Sequence, residues 1–222
     1  MKFFLDTANL REINEAKSMG FLDGITTNPT LISKENLFHK EEIENHYISI
    51  CKIIGNNKSV SAEVISTKYE DILKEGMKLS SLHKNIVVKI PATRDGIKSI
   101  NFFHERGVST NCTLVFSIGQ SILAAKAGAT YISPFLGRLD DISYNGIKLI
   151  QEIKYIYDEY NFHTKIIAAS IRNSIHILEC SKSRIFAITS PINIYYSLLN
   201  HPLTNKGLKK FIEDYKKKIN LT

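Results

Sequence analysis

A lysine stands inside one of the most apolar runs of the sequence, "NIVVKIPAT" (85–93). Ile86, Val87, Val88 and Ile90 are strand formers and Pro91 ends the run, and such a run is expected to be a strand buried on both faces. Burying the Lys89 ammonium is costly unless it is paired or gives up its proton. A lysine in a low-dielectric site loses its proton more readily, and the neutral amine attacks carbonyls to form a Schiff base. The iminium is then an electron sink for breaking a carbon–carbon bond. Nearby carboxylates would oppose deprotonation, so the resting protonation state stays open. The plainer reading is an exposed or ion-paired lysine on an edge strand, which the apolar neighbours argue against.

Cleaving a hydroxyketone through a Schiff base also needs groups that move protons. One must help expel water from the carbinolamine, and another must take the proton of the hydroxyl whose carbon becomes the new carbonyl. Asp6, directly after "FFL", and Glu63, inside the apolar stretch "VSAEVIS", are the candidates. The plainer roles are a helix cap for Asp6 and a surface charge for Glu63. The seven histidines show neither HxxxH nor HxH spacing, and no His/Asp cluster of the kind zinc needs is visible. Amine chemistry is therefore favoured over a metal-stabilised enolate.

The elements that must carry these groups alternate along the chain. Strand-like runs are expected at Phe3–Asp6, Gly24–Thr27, Val60–Val64, Ile86–Ile90, Val108–Leu114, Thr130–Ser133, Lys165–Ser170 and Ile185–Ile188. Segments of helical period separate them. Asn9 with Glu12, Thr67 with Glu70 and Ser117 with Gln120 have the spacing of capping boxes. Ser190-Pro191 sets a cap ahead of proline at a first helical position, and Gly20, Gly107 and Gly128 stand where helices should stop. A further helix is expected from Asn205 to about Lys218, within an amphipathic segment 204–218.

Repeated β/α units with no linker or composition shift point to one (β/α)₈ barrel spanning residues 1–222, an α/β fold. A doubly wound open sheet is the runner-up, weakened because no GxGxxG or GxxxxGK[ST] follows a strand. In a barrel the site lies at the carboxyl ends of the strands. The residues expected there are Asp6, Asn28, Glu63, Lys89, Asn111 with Thr113, Ser133, and Ser170 with Arg172. Only the eighth strand supplies no polar group in this reading.

The chain has 222 residues, 43% of them hydrophobic, enough for a substantial core. No apolar run approaches the ~18 residues of a membrane-spanning helix. The apolar patch in "MKFFLDTANL" is too short for a secretory core, so a cytoplasmic protein is expected. Cys51, Cys112 and Cys180 lie far apart, as reduced core thiols do, and Cys112 is a poor candidate nucleophile. The net charge is +7. Much of it lies beyond Asn205, where six lysines face Glu213 and Asp214. They are interleaved with Leu208, Phe211, Ile212 and Tyr215, so this segment reads as a packed amphipathic helix rather than a free nucleic-acid arm. Neither nucleic acid nor a membrane is an expected partner.

Several stretches together resemble the transaldolase family: "FLDTAN" (4–9), "GITTNPTLI" (24–32), "SAEVIST" (61–67), "VVKIPAT" (87–93), "STNCTLVFS" (109–117), "AGATYISPFLGRLDD" (127–141) and "IIAASIRN" (166–173). The resemblance runs in order from residue 3 to about 204. It is strongest to the short subfamily that also holds fructose-6-phosphate aldolases. It implies a (β/α)₈ barrel that moves a dihydroxyacetone unit between sugar phosphates with no cofactor or metal. By resemblance Lys89 is the Schiff-base lysine and Asp6 the acid/base. Glu63 and Thr113 hold a catalytic water. Thr26, Asn28, Asn111 and Ser133 hydrogen-bond the sugar, Phe135 shapes the pocket, and Arg138, Ser170 and Arg172 bind phosphate. Two guanidiniums and a serine suit that last task, since arginine grips phosphate through paired, charge-assisted bonds.

Glu63, Ser133 and Phe135 are the transaldolase choices where the aldolase branch carries Gln, Ala and Tyr. Transaldolase is therefore expected, with fructose-6-phosphate aldolase as the alternative. A non-catalytic phosphosugar-binding barrel, or a basic barrel that binds nucleic acid, is the answer from a different class. The subfamily also implies a homo-oligomer, a pentamer or decamer, with the C-terminal helix on a neighbouring subunit. The chain departs from the family at "ILECSKSRIFAITSP", where an Ala-Gly-rich turn is missing and Arg184 and Phe186 are not explained.

Overall fold

The fold was established from a computed structural model, which describes residues 1–219. The chain opens with β1 (Lys2–Asp6), α1 (Leu10–Ser18), β2 (Gly24–Thr26), the single-turn α2 (Pro29–Ile32) and α3 (Lys40–Ile54). It continues through β3 (Ser59–Glu63), α4 (Tyr69–Leu82), β4 (Ile86–Pro91), α5 (Arg94–His104), β5 (Thr110–Val115) and α6 (Ile118–Lys126). Then come β6 (Tyr131–Pro134), the short α7 (Leu136–Asp140), α8 (Gly146–Glu159), β7 (Lys165–Ala168) and α9 (Ser174–Lys182). β8 (Ala187–Ser190), α10 (Ile192–Ser197) and α11 (Pro202–Ile219) complete it. All strands pair in parallel and in chain order, and β8 closes onto β1 through Phe3↔Ile188 and Phe4↔Thr189. The expected closed (β/α)₈ barrel is present, and each strand edge falls within two residues of its expected position.

Two apolar clusters hold the barrel. The larger lies between the strands and the surrounding helices, where Leu5, Ile25, Val60, Val88, Ile90, Ile132 and Ile188 meet Ile13, Ile50, Ile72, Ile100 and Ile153. The smaller fills the barrel interior near its amino-terminal end and consists of Phe4, Val87, Tyr131, Ile167 and Ala187, with Phe186 packed against it. Successive strand residues face opposite sides, so Val88 and Ile90 meet the helices while Val87 and Lys89 share the interior face. Gly24 is required by this packing, because a Cβ there would lie 2.7 Å from the Phe4 ring.

Phe186 is thereby explained. It stacks near Phe4 and Tyr131, with ring centroids 6.4 and 5.7 Å apart, and the ammonium groups of Lys2 and Lys165 lie 5.3 and 4.8 Å from its ring centre. It closes the interior from below while the two cations cover its solvent side. Arg184 takes a left-handed φ of 52° in the turn that precedes it, the conformation a glycine would otherwise supply.

Local signals hold in part. Asn9 caps α1, accepting from the amides of Arg11 and Glu12, but the Glu12 carboxylate binds the Thr7 hydroxyl at 2.5 Å instead of returning to Asn9. Ser117 caps α6 by accepting from the Gln120 amide at 3.2 Å, but the Gln120 side chain accepts from the Phe116 amide at 2.8 Å, one residue before the cap, rather than from that of Ser117. The Thr67–Glu70 box does not form. The cap position is Lys68, and the Tyr69 amide is taken by Asp95 of the next unit at 3.1 Å. Ser190 ends β8 and Pro191 itself is the cap residue of α10, which starts at Ile192, one residue later than expected. Gly20, Gly107 and Gly128 all take positive φ after their helices. The expected C-terminal helix exists as α11, longer at both ends, but it is not packed within the chain: none of its described residues is buried. No described helix is long and apolar enough to cross a membrane.

Candidate active site

Lys89 reaches the upper interior from β4 and is 3% exposed. Its Nζ donates to the Thr27 carbonyl at 2.7 Å and lies 2.9 Å from Glu63 Oε2. Glu63 is its register partner on β3, so strand pairing alone brings amine and carboxylate together. The Thr27 carbonyl is fixed in turn, because both the amide and the hydroxyl of Thr27 donate to the Ser61 carbonyl, at 3.0 and 2.8 Å. The Tyr47 hydroxyl on α3 lies 3.3 Å from the Thr27 hydroxyl. Burial is the main reason the Tyr47 phenol is pushed up to about 12, so it stays protonated as a neutral partner.

Asp6 ends β1 beside this pair. Thr26 donates to its Oδ1 at 2.7 Å, and the Thr26 hydroxyl lies 2.6 Å from that of Thr189 on β8. Loss of solvation raises the Asp6 carboxyl above its usual range, and Lys89 and then Thr26 pull it back only in part. A carboxylate held high by burial is suited to accept a proton and return it.

Asn111 and Ser133 sit on the next two strands. Ser133 donates to Asn111 Oδ1 at 2.9 Å, and Asn111 Nδ2 donates to Ser61 Oγ at 3.1 Å. This buried chain holds the Asn111 amide in one orientation. Thr113 is fully buried and its hydroxyl has no hydrogen-bond partner among the described residues, an unmet capacity that a bound water can satisfy. Beyond it, β5 bulges between Cys112 and Val115, and Leu114 takes a positive φ of 54°. Cys112 faces the helix layer, with its thiol pushed up to about 12 by burial, so it is no nucleophile. Asn28 uses its Oδ1 to cap α2 through the Leu31 amide at 2.9 Å.

The phosphate candidates occupy the turns after β6 and β7. These turns are stitched by a bridge between Phe135 and Ala169 and by the Gly137 amide, which donates to the Ser170 carbonyl at 2.9 Å. Gly137 is needed here because a Cβ would collide with Ser170 and with the Arg172 side chain lying across it. Arg138 is exposed, its guanidinium 5.0 Å from the centre of the Phe135 ring. Phe135 meets Phe116 edge-on at 5.7 Å. Ser170 holds a left-handed φ of 57°, uncommon for a residue with a side chain. Arg172 is exposed and paired with Asp141 at 2.8 Å.

Asp6, Thr26, Glu63 and Lys89 thus gather in one place, with Asn111, Ser133 and Thr113 on the adjoining strands. Arg138, Ser170 and Arg172 share the neighbouring turns. Glu63 pairs directly with Lys89, and the Thr113 hydroxyl has no hydrogen-bond partner among the described residues. One expectation needs amending. The eighth strand is not devoid of polar groups, since Thr189 reaches Thr26. Thr27, Ser61, Tyr47 and Thr189 went unnoticed in the sequence. Ser61 could have been found, because it alternates with Glu63 on β3 and therefore shares its face.

The described chemistry is a buried amine with a carboxylate in contact, a second carboxylate able to carry a proton, and a double-arginine rim. Residues 3–221 match the family described as Transaldolase/Fructose-6-phosphate aldolase. A protein of Bacteroides thetaiotaomicron named a probable transaldolase is 56% identical over 98% of this chain and 99% of its own length. Probable transaldolases of Cytophaga hutchinsonii and Porphyromonas gingivalis are 52% and 51% identical over 98% of this chain, covering 99% and 98% of their own lengths. Among solved structures, a thiamine phosphate pyrophosphorylase from Pyrococcus furiosus superposes with a TM-score of 0.60 at 14% identity, covering 86% of this chain and 85% of that one. That likeness concerns the fold alone.

Proposed function

The chain belongs to the Transaldolase/Fructose-6-phosphate aldolase family, and from that premise we propose that it is a transaldolase, moving a dihydroxyacetone unit between sugar phosphates through a Schiff base on Lys89. The observation that carries the reading is the Lys89 amine itself, buried inside the barrel and held at 2.7 Å by a backbone carbonyl and at 2.9 Å by Glu63.

Attack on the ketone of fructose 6-phosphate or sedoheptulose 7-phosphate requires the amine to shed a proton, and Glu63 is the base within reach. Loss of water from the carbinolamine gives the iminium, with Thr113 supplying a hydroxyl for the water that leaves and later returns. Asp6 takes the proton from the hydroxyl on the carbon beyond the scissile bond. That bond breaks, its electrons flow into the iminium, and an aldehyde phosphate departs. The enamine waits on Lys89 until a second aldehyde phosphate accepts it by the reverse steps, with Asp6 returning the proton. Thr26, Asn28, Asn111 and Ser133 hold the sugar hydroxyls, Phe135 walls the pocket, and Arg138, Ser170 and Arg172 hold the phosphate. The Ser170 hydroxyl and the Arg138 guanidinium make no protein hydrogen bond among the described residues, which leaves both available for it. The reaction belongs to the pentose phosphate route in the cytoplasm, and the exposed Leu208, Phe211, Ile212 and Tyr215 of α11 fit assembly with further copies.

Borohydride added with fructose 6-phosphate should fix a stable three-carbon adduct on Lys89 and none on Lys89→Ala. Turnover of fructose 6-phosphate to glyceraldehyde 3-phosphate should depend on added erythrose 4-phosphate. Absence of an adduct sinks the Schiff-base reading, and fast release without acceptor makes the chain an aldolase.

A further inference from the structure

We propose that His176 is a positioning residue for the phosphate grip, its neutral ring tying the segment that bears Arg172 to the segment that bears Arg138. This rests on the reading of Arg138, Ser170 and Arg172 as the phosphate site.

His176 lies in the first turn of α9 and is 7% exposed. Its Nδ1 accepts the Arg172 backbone amide at 3.3 Å, and its Nε2 lies 2.9 Å from Asp140 Oδ2. An amide can only donate and a carboxylate only accept, so these partners assign the ring proton to Nε2. Asp140 is itself anchored, because its other oxygen accepts the Gly146 amide of α8 at 3.0 Å. The ring is thus a bridge with one foot beside each arginine. Arg138 is two residues before Asp140 on α7, and Arg172 is the residue whose amide the ring holds.

Four ties among the described residues join α7 and its cap to the segment after β7: the Leu136 amide donates to the Ala169 carbonyl at 2.9 Å, the Gly137 amide to Ser170, Arg172 pairs with Asp141, and His176 makes the bridge. The Arg172–Asp141 pair is more than half exposed on both sides, and phosphate competes with Asp141 for the same guanidinium, so that pair cannot hold the turn in the bound state. The Gly137–Ser170 bond acts at the base of the turn. Among the described residues, only the His176 bridge grips the turn at Arg172 itself without using the guanidinium. It also lies two residues beyond Ser170, whose left-handed backbone persists only if its surroundings enforce it. A residue serving α9 alone would explain the bond back to Arg172, since side chains at this helical position often satisfy an amide near the cap. It would not explain the bond to Asp140 on a different helix.

Inorganic phosphate is the probe, measured as a competitor of fructose 6-phosphate, beside the KM for that donor. The variants are His176→Ala, His176→Phe, which keeps the ring volume, and His176→Gln, whose amide can both accept and donate. Loss of the bridge should raise KM and the phosphate Ki together by roughly five- to tenfold in the Ala and Phe variants, the size of one or two lost hydrogen bonds. The kcat should change by under about threefold, as expected when binding rather than chemistry is disturbed. His176→Gln should recover most of the loss. Unchanged Ki in the Phe variant, or a fall in kcat with KM and Ki intact, overturns the inference. Wild-type protein and Arg172→Ala separate the two layers. If phosphate does not compete, or Arg172→Ala leaves Ki unchanged, the phosphate site itself is misassigned. If both behave and the His176 variants keep the wild-type Ki, only the role of His176 fails.

Discussion

At the amino-terminal end of the barrel, Phe4, Val87, Tyr131 and Ala187 meet across the interior. Two residues further along the same strands stand Asp6, Lys89, Ser133 and Thr189. Strand geometry aims each pair to the same side, so the chemistry of an inward residue is decided by its depth in the barrel. The lower layer contributes stability by removing aromatic and aliphatic surface from water. The upper layer gathers an amine, two carboxylates and several hydroxyls whose burial costs free energy. The apolar floor excludes solvent from beneath the site, which strengthens every charge interaction above it.

The comparison breaks most sharply at Asp6. Asp6→Asn should lower kcat by about 10²- to 10⁴-fold, the usual contribution of a positioned acid/base group. The same change should stabilise the fold at neutral pH. Burial raises the folded-state pKa of Asp6, so between the ordinary carboxylate value of 3.8 and that raised value the folded state binds more protons than the unfolded one. Wild-type stability therefore falls as pH climbs through this window and stays lower above it. Asparagine does not titrate, so its thermal-melt advantage should be present at pH 7 and shrink on acidification towards 3.8. A variant less stable than wild type at pH 7 would show that the Asp6 charge contributes more through Lys89 and Thr26 than its burial costs.

The opposite outcome is expected one layer down. Phe4 is 2% exposed, and Phe4→Ala should cost about 3–5 kcal/mol of stability, a drop in melting temperature on the order of 10 °C. The activity of the molecules that remain folded should stay within about twofold of wild type, since the Phe4 ring packs into the floor cluster with Val87, Tyr131, Ile167 and Ala187. Loss of kcat in folded Phe4→Ala would mean that the floor positions Lys89 directly, and the separation into layers would fail.

This division was visible in the sequence where a residue contradicted its surroundings. Lys89 and Glu63 stand out as charges within apolar runs, and the strand ends gave Asp6, Asn111 and Ser133. What could not be read were contacts set by packing between units. The hold on Lys89 is a backbone carbonyl, that of Thr27, and a carbonyl has no residue type to notice. Tyr47 arrives from a helix, and His176 bridges to Asp140 across an intervening helix and strand. The Thr67–Glu70 spacing was a sound local signal overridden by Asp95 from the following unit. Helical period in α11 predicts an amphipathic helix but cannot say whether its apolar side meets this chain. Phe186 looked anomalous because the family pattern does not explain it, and only barrel closure shows that it sits beneath Phe4 and Tyr131.

The smallest effect, and the one that sharpens the comparison most, concerns Thr189. A threonine hydroxyl has a single proton to donate. While Asp6 is ionised, Thr26 gives its proton to Asp6 Oδ1 at 2.7 Å, so at 2.6 Å the Thr189 hydroxyl must donate to Thr26. If Asp6 takes up the substrate's proton as proposed, the carboxylic acid can donate to Thr26 and the direction of both bonds can reverse. The upper layer then holds a hydroxyl relay that follows the charge on Asp6. Thr189→Val keeps the shape and the Thr26–Asp6 bond but removes the outer donor. Coupling along such a chain is about 10–30% of one bond, so kcat should fall by no more than about fivefold and stability should change by about 1 kcal/mol or less. The acid limb of kcat/KM should move to higher pH, because the ionised carboxylate loses the donor that reinforces Thr26. An acid limb that stays in place would uncouple Thr189 from Asp6. A loss as severe as that of Asp6→Asn would instead put Thr189 in contact with the substrate.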